Sequence, residues 1–127
     1  MKAILDTHAF LWALAGDGRM SRHAREVFAG SAKLSLSMAS IWEILLKVQA
    51  GKLDLPKPAG QYVIRKLADN RIEILPISVD HLLGVERLPM HHRDPFDRML
   101  IAQSIKENMP VITADRIFTR YPVEVIW

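Results

Sequence analysis

The chain contains no cysteine. Disulfides and thiolate metal sites are therefore excluded, and any metal must be held by oxygen or imidazole, which points to a hard ion. No apolar run approaches the roughly 20 residues that span a bilayer. The opening MKAILDTHAF carries charge inside its apolar run and has no cleavage-type site, so the expectation is a cytoplasmic protein without membrane contact. Glycine is scarce, and Gly16 and Gly18 are followed by no third glycine or phosphate-binding lysine, which excludes a nucleotide-binding loop. Repeats, linkers and low-complexity segments are missing, so residues 1–127 are expected to form one domain.

What is present is apolar and basic. Half of the 127 residues are apolar, enough for a sizeable core. Seventeen Lys and Arg against fourteen Asp and Glu leave a formal net charge of +3. If several acids gather at one site, the remaining surface is strongly basic, which suits a polyanionic substrate.

Taken along the chain, short apolar runs alternate with helical patterns. Lys2 to Leu5 reads as a buried strand ended by Asp6-Thr7. Phe10, Leu11, Trp12 and Leu14 continue into a helix that Gly16 terminates. Ser21 caps a second helix closed by Gly30, and Lys33 to Ser37 alternates like a strand. A helix then starts at Ser37 or Ser40 and runs to about Ala50, with Glu43 among apolar neighbours. A carboxylate there is costly unless paired. Lys47 four residues on, or a Ser40–Glu43 capping box, supplies a plain reason for it. A helix ending near Asn70, a strand over Ile72 to Ile77, and a helix capped by Ser78, with Leu82, Leu83 and Val85, that ends before Pro89 lead to residue 92.

The segment HRDPFDRMLIAQSIKENMPVITAD, residues 92–115, is the most informative. Asp94-Pro95 reads as an N-cap with proline at the first helical position, Asp97 falls in the first turn, and Met99, Leu100, Ile101, Ala102 and Ile105 make the helix largely buried. Asn108 is a C-cap ahead of Pro110. Val111 to Thr113 is a strand, with Asp115 just past it, and Val123 to Ile126 is the last strand. Five strands alternating with helices predict an α/β fold, a three-layer α/β/α sandwich around a short, mainly parallel sheet. Asp6 and Asp115 then meet at the carboxyl edge of the sheet, facing Glu43 and Asp97.

Four such carboxylates repel one another unless protons or cations are bound. Oxygen-only ligation selects Mg²⁺, with Mn²⁺ as a substitute. Such ions activate water and stabilise the leaving oxygen of a phosphodiester, the chemistry of a nuclease. His91 and His92 are adjacent, and neighbours seldom point the same way. With no third histidine at suitable spacing, they and His8 are read as structural or RNA-contacting and not as zinc ligands.

Asp6-Thr7 after a first strand, Glu43 in S-x-x-E, D-P-F-D-R-M-L-I-A-Q with Asp97, and T-A-D ending at Asp115 together resemble the PIN domain, specifically VapC-type toxin ribonucleases. The resemblance spans nearly the whole chain. It implies a Mg²⁺-dependent endoribonuclease acting on RNA, frequent homodimers, and neutralisation by a VapB-type antitoxin. It also implies that Asp6, Glu43, Asp97 and Asp115 are catalytic and metal-binding, with Thr7 and Thr113 supporting them, while Asp94 stays a cap. The apolar excess around Phe10, Trp12 and Trp42 is a further expected partner surface. Two rivals remain: a non-catalytic RNA- or protein-binding domain of the same fold, and a metal-dependent phosphatase. A haloacid-dehalogenase-like phosphatase needs a second Asp two residues after the first, where this chain has His8.

Overall fold

A computed structural model describes residues 1–127. The strands are β1 (Lys2–Leu5), β2 (Lys33–Ser37), β3 (Glu73–Leu75), β4 (Val111–Ile112) and β5 (Val125–Ile126). The helices are α1 (Thr7–Ala15), α2 (Arg22–Ala29), α3 (Met38–Gln49), α4 (Ala59–Asp69), α5 (Val79–Arg87) and α6 (Pro95–Glu107), with a 3-10 turn over Arg116–Arg120. The five strands form one sheet in the order β3-β2-β1-β4-β5. Every pairing is parallel, so the sheet is wholly and not merely mainly parallel.

The sheet is covered on both faces, and side-chain alternation along the strands sorts the core into two layers. Ala3, Leu5, Leu34, Leu36 and Ile112 join Phe10, Ala24, Ile44 and Val63 from α1 to α4. On the other face Ile4 and Val111 meet Leu100 and Ile101 of α6, with Phe118 and Tyr121. From Arg98 to Ser104 every residue of α6 is buried. Ile105, expected on the covered side, is exposed instead.

Local capping explains where most helices begin and end. Ser21, Ser78 and Asp94 each accept an amide hydrogen three residues on, and Gly16 ends α1 with a left-handed φ of 62°, which glycine adopts at no steric cost. His81 is buried, completing a capping box with Ser78, whereas Leu82 and Leu83 are exposed. Gly84 makes the close approach to α6, since a Cβ there meets that of Ala102 at 3.5 Å.

Candidate metal centre

Strand order reverses between β1 and β4, the point at which open α/β sheets bind ligands beyond their carboxyl ends. Asp6 leaves β1 in extended conformation and caps α1, its Oδ1 accepting the Ala9 amide hydrogen at 2.7 Å. Beyond the neighbouring β4, the Thr113 hydroxyl accepts the Asp115 amide hydrogen at 3.0 Å. Asp115 starts the 3-10 turn through its Oδ1, which accepts from the Ile117 amide at 2.9 Å, leaving Oδ2 for the site.

Glu43 lies on the buried side of α3 with both oxygens engaged. Thr7 Oγ1 donates to Oε1 at 2.6 Å, and Lys47 Nζ stands 2.9 Å from Oε2. The expected Ser40–Glu43 capping box does not form. Ser37, at the end of β2, is already extended and takes the cap by accepting the Ala39 amide at 3.0 Å, so Ser40 falls inside the first turn with its Oγ buried and unpartnered.

Asp94 and Asp97 divide the work at the start of α6. Asp94 Oδ1 accepts the Asp97 amide hydrogen at 3.0 Å, so the cap duty falls on Asp94 and the Asp97 carboxyl is free to face the cluster. Burial pushes the Asp97 carboxyl up to about 8, and the charges of Asp94, Asp6, Glu43 and Asp115 add to it. Burial also raises Asp6, against the lowering effect of the Thr113 side chain and the Ala9 amide. The four acids singled out from sequence therefore share one electrostatic neighbourhood. Two of them, Asp6 and Asp97, are raised chiefly by burial, which disfavours their ionised forms. A hard divalent cation fits this donor set. It satisfies carboxylate oxygens without thiolate and relieves the repulsion among them.

A fifth group completes the cluster. His92 Nε2 lies 2.9 Å from Asp115 Oδ2 and 3.0 Å from Asp97 Oδ2. The atoms that these three residues offer all lie within 4.8 Å of one another. His92, read from the sequence as structural or RNA-contacting, thus lies against two of the acids. His91 turns away from it and packs its ring on Tyr121, as adjacent residues with divergent side chains do.

The family model described as the PIN domain matches residues 3–124. This chain belongs to the PIN domain family. Among solved structures, this PIN domain is similar to VapBC2 from Rickettsia felis bound to a DNA fragment from the promoter, with 19% identity, TM-score 0.74 and coverage of 98% of this chain and 97% of that one. A toxin–antitoxin complex from Klebsiella pneumoniae matches at 18% identity and TM-score 0.68, covering 98% and 96%. VapBC-1 from nontypeable Haemophilus influenzae matches at 14% and 0.68, again covering 98% and 96%. These neighbours carry the VapC-type fold, in agreement with the resemblance read from the motifs. None of the curated proteins matches the sequence.

The motifs led to the acids of this PIN domain but not to what holds them. Arg98 is buried beside Asp97 and donates to the carbonyls of Val85, Leu88, Pro89 and His92 at 3.0–3.3 Å, with no carboxylate partner. The sequence signal was there in the arginine of D-P-F-D-R, a charge in a helix otherwise buried. Its meaning depends on a loop whose path cannot be read from spacing.

Proposed function

We propose that residues 1–127 form one nuclease domain, a divalent-metal-dependent endoribonuclease that hydrolyses RNA phosphodiesters and acts as the toxin of a toxin–antitoxin pair. The observation that carries this reading is the gathering of Asp6, Glu43, Asp97 and Asp115 at the strand-order reversal, where the half-buried Asp97 carboxyl is raised to about 8. Such a cluster is costly to fold and is explained by a cation that it exists to hold.

Asp6, Asp97 and Asp115 would hold Mg²⁺, or Mn²⁺ in its place, with Glu43 at the edge of the set. A bound divalent cation supplies the positive charge that offsets the phosphodiester as water attacks. Glu43, clamped between Thr7 and Lys47, keeps its remaining lone pairs in a fixed direction, suited to orienting that water. Exposed Arg93 and Arg116 neighbour the acids in sequence and provide positive charge for the flanking RNA backbone.

The structural neighbours are toxin–antitoxin complexes, which supports a VapB-type antitoxin as partner. Beside the acids is an apolar cavity of about 500 Å³, lined by Trp42, Phe96, Leu82 and Met90 among others. Trp42 is 59% exposed there and meets Phe96 edge to face at 5.4 Å. An apolar antitoxin segment laid on this surface reaches the acids directly, and pairing of two copies of this chain is a second use of it.

The testing experiment is cleavage of RNA under a Mg²⁺ or Mn²⁺ titration with a chelator control. Metal-dependent cleavage by the wild-type protein, lost in Asp97→Asn, is the expected result. RNA binding without cleavage at any metal concentration returns the protein to the non-catalytic reading.

A further inference from the structure

We propose that His92 is a positioning residue of the metal centre, donating a hydrogen bond to the Asp115 carboxylate without being a metal ligand itself. The inference rests on reading the acids as a divalent-cation site.

The two nitrogens of the imidazole have different partners. Nδ1 accepts the Asp94 amide hydrogen at 3.2 Å. An amide always donates, so Nδ1 carries no hydrogen and Nε2 carries it. That N–H is directed at Asp115 Oδ2, 2.9 Å away, with Asp97 Oδ2 at 3.0 Å from the same nitrogen. For Nε2 to ligate a metal it must lose this hydrogen. The ring then carries it on Nδ1, donor against donor with Asp94. His, Asp and Asp within 4.8 Å resemble a three-ligand site by distance alone, and the tautomer rules that use out.

The ring is held by a scaffold of hydrogen bonds to its own loop, which also fastens the end of α5. The His92 amide donates to Tyr121 Oη at 2.8 Å, and that hydroxyl donates to the Pro89 carbonyl at 2.7 Å. Buried Arg98 grips both the Pro89 and His92 carbonyls, at 3.0 and 3.3 Å. The edge of the imidazole packs perpendicular to Phe118, with centroids 5.8 Å apart. Burying a full guanidinium charge to fix a loop is costly. Here it holds the backbone of the loop whose imidazole N–H binds the carboxylate beyond β4, with the α6 carboxylate 3.0 Å from the same nitrogen. With Asp115 Oδ2 occupied by that bond and Oδ1 by the Ile117 amide, the carboxylate is locked in orientation, and each oxygen retains a lone pair for a cation. Outer groups that orient ligating carboxylates in this way set metal affinity, and their loss costs about 10–100-fold.

Three variants separate the roles. His92→Gln keeps a donor near the Nε2 position. His92→Asn keeps an acceptor near Nδ1 for the Asp94 amide but removes the donor. His92→Phe keeps the ring and removes both. Mn²⁺ affinity is measured by calorimetry on each folded protein, thermal midpoints are recorded alongside, and electron–nuclear spectroscopy of bound Mn²⁺ reports directly coordinated nitrogen. The expected result is Mn²⁺ affinity lowered about 10–100-fold in Asn and Phe, largely restored in Gln, and no coordinated nitrogen in the wild type. Equal affinity in all four proteins, whatever their thermal midpoints, overturns the inference in favour of a loop anchor. Coordinated nitrogen in the wild type that vanishes in the variants overturns it in favour of a ligand. Failure of the wild-type protein itself to bind Mn²⁺ defeats the metal-centre reading and this inference with it.

Discussion

Thr7 Oγ1 donates to Glu43 Oε1 at 2.6 Å, joining the first turn of α1 to the buried side of α3 across 36 positions of sequence. The bond brings a strand-end hydroxyl and a helix-borne acid together, and Lys47 holds the other oxygen from the same helix. Glu43 is thus fixed from both sides. Glu43→Gln is expected to lower RNA cleavage by about 100-fold or more while changing stability by about 1 kcal/mol at most. Thr7→Val, which frees one oxygen, is expected to cost about tenfold. Single-turnover cleavage and urea unfolding measured together test this. Full activity with a loss of stability alone reduces Glu43 to the partner of Lys47.

Asp6 serves two masters, the helix and the cluster. Asparagine caps helices as well as aspartate does, so Asp6→Asn retains the bond to Ala9 and removes only charge. Cleavage is expected to fall by orders of magnitude with the fold intact, whereas Asp94→Asn, at a residue whose oxygen caps α6, is expected to leave cleavage within a few-fold. Asp94→Ala removes the cap and should cost about 1 kcal/mol. Parallel rate and stability measurements on the three variants check the division of labour. Indistinguishable rates for Asp6→Asn and Asp94→Asn would contradict it.

The raised Asp97 carboxyl makes stability depend on pH in a definite direction. Below its ordinary value of 3.8 the group is protonated whether folded or unfolded and has no effect. Between 3.8 and about 8 the unfolded chain ionises while the folded one keeps its proton. This contribution to stability is therefore full at low pH and is lost as pH rises through the folded value, by at most about 1.4 kcal/mol per pH unit. Metal-free protein in chelator should lose stability from this group across that window, and Asp97→Asn should flatten the loss and raise stability near pH 8. Unfolding midpoints across the pH range, with and without Mg²⁺, provide the check. Identical profiles for wild type and variant would remove Asp97 from the account.

The two tryptophans first grouped as one partner surface separate in the structure. Trp12 is half-buried, packed on the main core and on Trp127, with Arg19 over its ring at 4.8 Å. Phe10 of the same helix is wholly buried. Trp42 is exposed beside the apolar cavity. Trp12→Ala is expected to destabilise the fold by about 3 kcal/mol. Trp42→Ala is expected to weaken antitoxin binding tenfold or more at little cost in stability. Titration of each variant with its antitoxin, beside thermal melts, distinguishes them. Partner affinity unchanged by Trp42→Ala moves the antitoxin to another face.

Sequence alone determined the features whose physics is local. A cap is settled within three residues, so Asp94, Ser78, Ser21 and the left-handed Gly16 and Asn108 were legible from residue type and spacing. Strands buried on both faces announce themselves as unbroken apolar runs, and aspartates at their ends mark the carboxyl edge once strands and helices alternate. Tertiary structure decided whatever depends on distant segments converging. Ser40 lost its cap because β2 delivers Ser37 already extended. The inward face of α5 turned to His81 and Gly84 because α6 lies against it. His92 entered the acidic cluster because Arg98 and Tyr121 bend its loop back over the sheet edge, beside an aspartate 23 residues away. Chain spacing carries no record of such a contact, since a loop's path is set by the hydrogen bonds it finds only after the helices have packed.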